Sequence, residues 1–158
     1  MNWQEVCEHS ELQNLPFKIE LNEYGQIIMS PLKVIHSRLQ GKITKLLLKY
    51  TSDGEVFPEC AIYTPKGVKV ADVVWASAER LAQIKNEPYC SIAPEICIEV
   101  LSNSNSSKEM DEKKQLYFNQ HALEFWLCDP QGTMRFFNAK TELLHSQLMP
   151  QFPTKIDL

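Results

Sequence analysis

The chain has 158 residues, 44% hydrophobic and 23% charged, which is the composition of an ordinary globular protein. This length predicts one domain over residues 1–158, and no apolar run approaches the roughly 20 residues that cross a membrane. The net charge of −4 counts against a protein that coats nucleic acid non-specifically, although it leaves room for a local basic surface.

The N-terminus and the cysteines predict a cytoplasmic protein. The first residues are polar and acidic, where a secretory signal would be basic and then apolar. The five cysteines form no C-x-x-C pair and are odd in number, so we expect neither a zinc site nor a disulfide framework. Cys97 and Cys128 lie in apolar runs, which predicts that they are buried and reduced.

The first part of the chain predicts a short helix before Pro16, then a β-hairpin and a long helix. Residues 17–29 follow the pattern of a strand, a glycine-containing turn and a second strand. Ser30 and Pro31 match the cap and first turn of a helix over roughly residues 32–50. The apolar stripe of this amphipathic helix consists of Ile35, Leu39, Ile43, Leu46, Leu47 and Tyr50.

The other side of this long helix is basic. Its cations are Lys33, Arg38, Lys42, Lys45 and Lys49. A solvated helix face is the default interpretation of such a pattern. The alternative is a ridge that faces the phosphates of a nucleic acid.

The second part of the chain alternates short strands with two helices. Strands are predicted at residues 55–58, 61–63, 68–75, 96–101, 123–128, 133–138 and 142–148. One helix is predicted to begin at Ser77, and another at a capping box formed by Ser106 and Glu109. This order predicts an α/β protein with a mixed central β-sheet flanked by α-helices.

Two carboxylates lie within the most apolar of these strands. Asp72 belongs to residues 68–75 and Glu99 to residues 96–101. Burial of a carboxylate is unfavourable unless a charged or hydrogen-bonding partner meets it. If the two strands are neighbours, both side chains can converge on Mg²⁺ or Mn²⁺, which take oxygen ligands. Such a cation activates water and stabilises charge on a phosphate.

The helix after Glu99 supplies a candidate lysine. Met110, Lys113 and Tyr117 are spaced by three and four residues, so they share one helix face. Because Met110 and Tyr117 favour burial, Lys113 is predicted to point inward with them. Lys114 is turned by about 100° and is predicted to be solvated. An inward ammonium can hold the attacking water or stabilise charge on a phosphate.

The same residues also fit a purely structural explanation. Asp72 fits a strand-end acid that accepts hydrogen bonds from backbone amides. Glu99 fits a buried ion pair with Lys113 that needs no metal. Spacing alone leaves both explanations open.

Several segments together resemble the Uma-two family, a large bacterial group of restriction-endonuclease-like proteins. They are residues 19–25, 28–31, 71–77, 94–102 and 124–130, with His36, Glu109, Lys113 and Tyr117. The family's fold belongs to the PD-(D/E)XK nuclease superfamily, so the resemblance implies a restriction-endonuclease-like fold over most of the chain. Ala71 and Asn103 stand where the family often has proline, and neither change removes a functional group.

The resemblance also implies roles for individual residues. Asp72 matches the aspartate of the PD motif, and Glu99 matches the acid of the (D/E)XK motif. Leu101 stands where the motif lysine belongs, and in this family the lysine role moves to the following helix, at Lys113. In the superfamily the carbonyl after the acid, here that of Val100, can add a metal ligand.

These residues predict a Mg²⁺-dependent DNA endonuclease. Two other functions stay open: a non-catalytic nucleic-acid-binding or regulatory module with the same fold, and a structural protein whose acids form core ion pairs. By analogy with the superfamily we expect a homodimer, based on an exposed sheet edge and the run from Phe136 to Phe137. Glu20 and Glu109 have no defined role, and His36 is expected to be a structural histidine.

Overall fold

A computed structural model describes residues 1–158 and contains four α-helices, a six-stranded sheet and a separate two-stranded hairpin. The helices are α1 (Trp3–Glu8), α2 (Val34–Tyr50), α3 (Ala78–Ile84) and α4 (Ser107–Asn119). The hairpin strands are β1 (Phe17–Leu21) and β2 (Ile27–Pro31). The sheet strands are β3 (Glu55–Thr64), β4 (Gly67–Ala76), β5 (Ile96–Val100), β6 (Glu124–Cys128), β7 (Met134–Phe137) and β8 (Glu142–Leu143).

The six-stranded sheet is mixed, as the alternation of strands and helices predicts, and its strand order is β3-β4-β5-β6-β7-β8. Only β5 and β6 are parallel, and α4 makes the crossover between them. One face packs against α2 and the C-terminal segment, and the other packs against α3 and α4. Cys97 and Cys128 are fully buried, as their apolar surroundings predict. None of the helices has the length and apolar character needed to cross a membrane.

The helix-cap prediction for Ser30 and Pro31 is wrong. Both residues belong to β2, where Ser30 pairs with Lys18 and Pro31 pairs with Phe17. The helix begins at Val34 and has an extended Lys33 at its N-cap, with no side-chain cap. Cross-strand pairing therefore overrides a local cap signal. Proline is tolerated here because β2 is an edge strand that ends at Pro31.

Two of the predicted strands differ in extent. Residues 55–58 and 61–63 form one strand, interrupted only at Glu59, which has a left-handed backbone with φ of 54°. The predicted strand over residues 142–148 is limited to Glu142–Leu143. The helix after β5 begins as predicted, and the Ser106 hydroxyl accepts the backbone N–H of Glu109. The capping box is incomplete, because the Glu109 side chain bonds Asn105 instead of the Ser106 backbone.

The run from Phe136 to Phe137 lies in the core, with exposures of only 1% and 7%. The Phe136 ring packs edge-to-face on Trp126 at a centroid distance of 5.0 Å, and Phe152 lies 4.7 Å from the same indole. The aromatic pair therefore gives no exposed surface for the homodimer that the sequence suggested.

The C-terminal segment is anchored by a buried carboxylate at the start of β6. Glu124 accepts hydrogen bonds from the Trp126 indole and the Ser146 hydroxyl, both at 2.7 Å. It also accepts the backbone N–H groups of Gln147 and Leu148 at 2.7 and 2.9 Å. These bonds hold residues 146–148 after β8, and an isolated bridge between Thr133 and Lys155 holds the end of the chain.

We expect Glu124→Ala to lower the free energy of unfolding by about 3 kcal/mol or more, because it leaves buried donors unpaired. Chemical denaturation measures the loss. Glu142→Ala is the control: its bidentate pair with Arg135 is about half exposed, and its loss should cost less than about 1 kcal/mol. Equal losses in the two variants would contradict the anchoring role of Glu124.

Candidate active site

The structure brings Asp72 and Glu99 together at one end of the pairing between β4 and β5. These strands are antiparallel neighbours, and Val73 pairs with Ile98. Continuing that register by one residue places Asp72 opposite Glu99. Both side chains are buried, with residue exposures of 0% and 2%. Two carboxylates that are 27 residues apart in sequence therefore share one low-dielectric site.

Each oxygen of Asp72 has its own partner. Oδ2 accepts the backbone N–H of Val100 at 2.7 Å and lies 3.3 Å from Nε2 of His36. Oδ1 accepts the ammonium of Lys18 at 2.9 Å. Burial alone would raise the pKa of Asp72, but Lys18 and His36 outweigh it and hold this pKa well below its usual range. Asp72 is therefore ionised at neutral pH.

Glu99 is held in the same way on its other side. Its Oε1 accepts the Tyr117 hydroxyl at 2.8 Å and lies 3.4 Å from the Lys113 ammonium. Its Oε2 lies 3.3 Å from the Lys18 ammonium. Burial raises the pKa of Glu99 to about 7 against the opposing pull of both lysines, and the charge on Asp72 adds to the increase.

Lys113 points into the site, as its helix position predicts. It is 6% exposed and shares a buried face of α4 with Met110 and Tyr117. Its ammonium lies 3.0 Å from Oε1 of Glu20. Lys114 turns away from the site, but it is less solvated than expected because its ammonium lies over the Phe137 ring at 4.3 Å.

Three residues that sequence reasoning left out of the site contribute to it. Lys18 bridges the two acids, His36 contacts Asp72, and Glu20 holds Lys113 while accepting the backbone N–H of Val70 at 2.8 Å. The available signal was the alternation in β1, which puts Lys18 and Glu20 on one strand face. This signal was not used, because the polar face of a strand is usually assumed to meet solvent.

His36, which the sequence predicted to be a structural histidine, contacts one of the two acids. Its Nε2 faces Asp72, and this contact raises the pKa of the imidazole. The ring lies at the mouth of the site, with 15% of the side chain exposed, and its Nδ1 is buried without a hydrogen-bond partner. Glu109 also lines the mouth, where it accepts a hydrogen bond from the Asn105 side chain.

The backbone at Asp72 is freed from part of its strand pairing. Glu59 stands opposite Asp72 in the register of β3 and β4, but its left-handed backbone interrupts the pairing. The Gln40 side chain from α2 replaces it, because its amide donates to the carbonyl of Asp72 at 2.8 Å and to the Glu59 carboxylate at 2.7 Å. Gln40 therefore ties the long helix to the strand position that carries Asp72.

A polar cavity of about 170 Å³ opens onto this cluster. Its wall includes Lys18, Asp72, Glu99 and Lys113, and its rim includes hydroxyl and amide groups from the loop after β5. A larger, mostly apolar cavity of about 440 Å³ lies between α1, α3 and β3, away from the paired acids. Size alone would favour the second cavity, but only the first presents buried acids and ammonium groups to solvent.

The carboxylate oxygens of the site fit a small divalent cation that prefers oxygen ligands. Oδ1 of Asp72 and Oε2 of Glu99 face one common point, and the positive charge of Lys18 already lies there. No three side-chain ligands converge anywhere in the chain, but Mg²⁺ commonly takes one or two carboxylates and completes its shell with water and phosphate oxygens. Val100 lines the same cavity, so its carbonyl stays a candidate third ligand.

Burial and the surrounding charges together explain why Glu99 retains a proton so readily. Three acids, Asp72, Glu99 and Glu20, face two ammonium groups, those of Lys18 and Lys113. Burial is the largest influence and favours the neutral carboxyl group of Glu99. The charges of Asp72 and Glu20 act in the same direction, and those of the two lysines oppose it.

This proton makes stability depend on pH. Between the ordinary Glu99 pKa of 4.5 and its folded value of about 7, the folded protein keeps a proton that the unfolded chain releases. The Glu99 contribution to stability is therefore fully present below pH 4.5 and is lost as pH rises through 7. We expect the unfolding free energy of the wild type, relative to Glu99→Gln, to fall by up to about 3 kcal/mol across this window.

Urea denaturation at several pH values measures this difference. Asp111→Asn, which changes a carboxylate that is 74% exposed, is the control and should leave the slope unchanged. Parallel curves for the wild type and Glu99→Gln would contradict the assignment of the retained proton to Glu99.

Comparisons with known proteins agree with this fold. The chain superposes on a crystal structure from Anabaena variabilis described as "a putative nuclease belonging to DUF820", with a TM-score of 0.69 and 21% identity. The match covers 90% of this chain and 82% of that one, and it shows a restriction-endonuclease-like fold. No curated protein matches the chain. A family profile described as "Putative restriction endonuclease" matches residues 3–137, and the chain therefore belongs to the Uma2 (Uma-two) family.

Proposed function

We propose that this protein is a Mg²⁺-dependent DNA endonuclease that hydrolyses phosphodiester bonds at the site formed by Asp72, Glu99 and Lys113, with Mn²⁺ as a substitute cation. One observation carries the proposal. Two buried carboxylates from adjacent strands each keep one oxygen on protein donors and direct the other to a shared point at the bottom of an open polar cavity. Nuclease family membership supplies the matching chemistry.

Asp72 and Glu99 would hold the cation, and the carbonyl of Val100 is the candidate third ligand. When bound, Mg²⁺ stabilises charge on the scissile phosphate and activates a water molecule. The backbone N–H of Val100 and the Tyr117 hydroxyl fix the other oxygen of each carboxylate. Both acids are therefore oriented before any ligand arrives, which avoids reorganisation during the reaction.

Lys113 would act beside these acids. Its ammonium lies between Glu99 and Glu20, and it lines the cavity wall. A cation in this position can orient the attacking water and stabilise negative charge on the phosphate. Glu20 is a positioning residue in this scheme, because it contacts Lys113 and a backbone amide of β4. His36 positions Asp72 in a similar way.

The charge distribution supports a nucleic acid as the substrate despite the net charge of −4. The stretch over residues 33–50 carries five basic residues and no acidic one, leaving 11 basic against 20 acidic residues elsewhere. None of these five cations takes part in an ion pair of the structure. An unpaired basic surface fits a phosphate backbone better than a merely solvated helix.

The basic residues of α2 form a continuous stripe. Arg38, Lys42, Lys45 and Lys49 are spaced by four, three and four residues, so they share one side of the helix over about 16 Å. The buried side of α2, with Leu39 at its start, faces the sheet. At its N-terminal end the helix reaches the active-site cavity through Lys33 and His36. Duplex bound along this stripe would meet the cavity at one end.

One observation favours a non-catalytic nucleic-acid-binding or regulatory module as the second candidate. Lys18 neutralises Asp72 and Glu99 directly, so the cluster is satisfied without a metal. A module of this kind would bind DNA equally well in the presence of a chelator and would cleave nothing. Cleavage that depends on Mg²⁺ or Mn²⁺ would exclude it.

We expect Asp72→Asn to abolish saturable Mn²⁺ binding in calorimetry and to reduce metal-dependent DNA cleavage by at least about 100-fold, because one of two anionic ligands is lost. Asp111→Asn removes an exposed carboxylate from α4 and should behave like the wild type. Mn²⁺ binding of equal strength in the wild type and Asp72→Asn would refute the site.

We expect the triple variant Arg38→Gln, Lys45→Gln and Lys49→Gln to bind duplex DNA more weakly and with a smaller salt dependence. Each lost phosphate contact lowers the slope of log binding constant against log salt by about 0.9. Fluorescence anisotropy in a chelating buffer measures binding without cleavage. A control triple variant at three exposed lysines elsewhere, Lys85, Lys140 and Lys155, has the same net charge. Equal slopes in both triple variants would exclude α2 as the contact surface.

A further inference from the structure

Lys18 lies at the point that a bridging cation must occupy. Its ammonium is 2.9 Å from Oδ1 of Asp72 and 3.3 Å from Oε2 of Glu99, and 9% of its side chain is exposed. It extends from the hairpin strand β1, whereas both acids belong to the main sheet. Lys18 therefore joins two separate sheets through the acids of the site.

The other oxygens of the two acids are already committed to the protein. Oδ2 of Asp72 is fixed by the backbone of Val100, and Oε1 of Glu99 is fixed by Tyr117 and approached by Lys113. Only the two oxygens that face Lys18 can be shared by a cation. An ammonium and a divalent cation cannot occupy the same point, because of both their size and their like charge.

The surroundings let the ammonium move without leaving the site. The lysine side chain has four flexible methylene groups, and its ammonium can donate to any oxygen acceptor within reach. The cavity lining provides such acceptors in Ser30, which pairs with Lys18 across the hairpin, and in Ser104 and Asn105. A displaced Lys18 ammonium would therefore still face polar groups in the same cavity.

We propose that Lys18 is the internal competitor of the divalent cation: it neutralises Asp72 and Glu99 in the metal-free protein, and the metal binds by exchange with its ammonium. This inference rests on the proposed metal site. It assigns a role to Lys18 that differs from that of Lys113, because Lys113 contacts the oxygen of Glu99 that faces away from the shared point. Lys18 therefore sets the affinity for the cation.

Calorimetric titration with Mn²⁺ alone, without DNA, tests this role. We expect Lys18→Met to bind Mn²⁺ at least about tenfold more tightly than the wild type, because no ammonium has to be displaced. Lys113→Met removes the same charge from the cluster but leaves the shared point filled, so its gain should be smaller. Lys66→Met, at an exposed ion pair with Glu112, should leave the affinity unchanged.

Lys18→Arg provides a second arm that retains the buried positive charge. Its planar guanidinium forms stronger paired hydrogen bonds with carboxylates than an ammonium does. We therefore expect it to bind Mn²⁺ more weakly than the wild type. Thermal unfolding gives an independent readout, since added Mn²⁺ should raise the midpoint of Lys18→Met more than that of the wild type.

The outcomes separate this inference from the proposed function. If the wild type binds Mn²⁺ and Lys18→Met binds it no more tightly, the competitor role is wrong and the metal site stands. Equal gains in Mn²⁺ affinity in Lys18→Met and Lys113→Met would mean that any loss of positive charge from the cluster has this effect. That result would also overturn the competitor role. No Mn²⁺ binding to any variant would overturn both the role and the metal site.

Discussion

The balance of charge between three buried acids and two ammonium groups is the interaction on which the rest of the structure depends. Asp72 and Glu99 come from the main sheet, Lys113 comes from α4, and Lys18 and Glu20 come from the hairpin. Removing either lysine would leave buried carboxylates without a counter-charge in a low-dielectric site, which is destabilising. The cluster therefore links the main sheet, α4 and the hairpin through charge, in addition to their apolar contacts.

The hairpin shows the effect of this balance most clearly. In β1 the apolar Phe17 is 40% exposed, whereas the side chains of Lys18 and Glu20 are only 9% and 8% exposed. The other face of β1 is also largely covered, because Leu21 belongs to a small apolar cluster with Val68 and Ile19 packs against that cluster. The hairpin therefore docks through apolar contacts on one face of β1 and through ion pairs with the acids on the other.

Around this cluster the backbone is arranged so that the acids are held but not enclosed. The strand pairing of β4 with β5 stops beside Asp72, and its pairing with β3 is interrupted there by Glu59. The freed backbone groups are met by Gln40 and by the carboxylate itself, which takes the N–H of Val100. The sheet can therefore present two carboxylates to a polar cavity without leaving their hydrogen-bonding groups unsatisfied.

Sequence periodicity was enough to predict much of the fold and the burial of the central residues of the site. The apolar runs around Asp72 and Glu99 predicted interior strands, and the spacing of Met110, Lys113 and Tyr117 predicted the inward face of α4. These predictions succeed because the spacing of apolar residues along a helix or strand indicates which of its faces is buried. The resemblance to the family added the functional meaning of the residues, which periodicity does not carry.

The tertiary structure alone decided which polar groups meet these acids. Lys18, Glu20 and His36 are more than 30 residues away from their partners in sequence, and nothing in their local pattern distinguishes a buried ion pair from a solvated face. The same limit explains the misplaced helix start at Ser30, where a strand partner outweighed a cap signal. Local sequence determines which face of an element is polar, but only long-range packing determines whether that face meets water or charge.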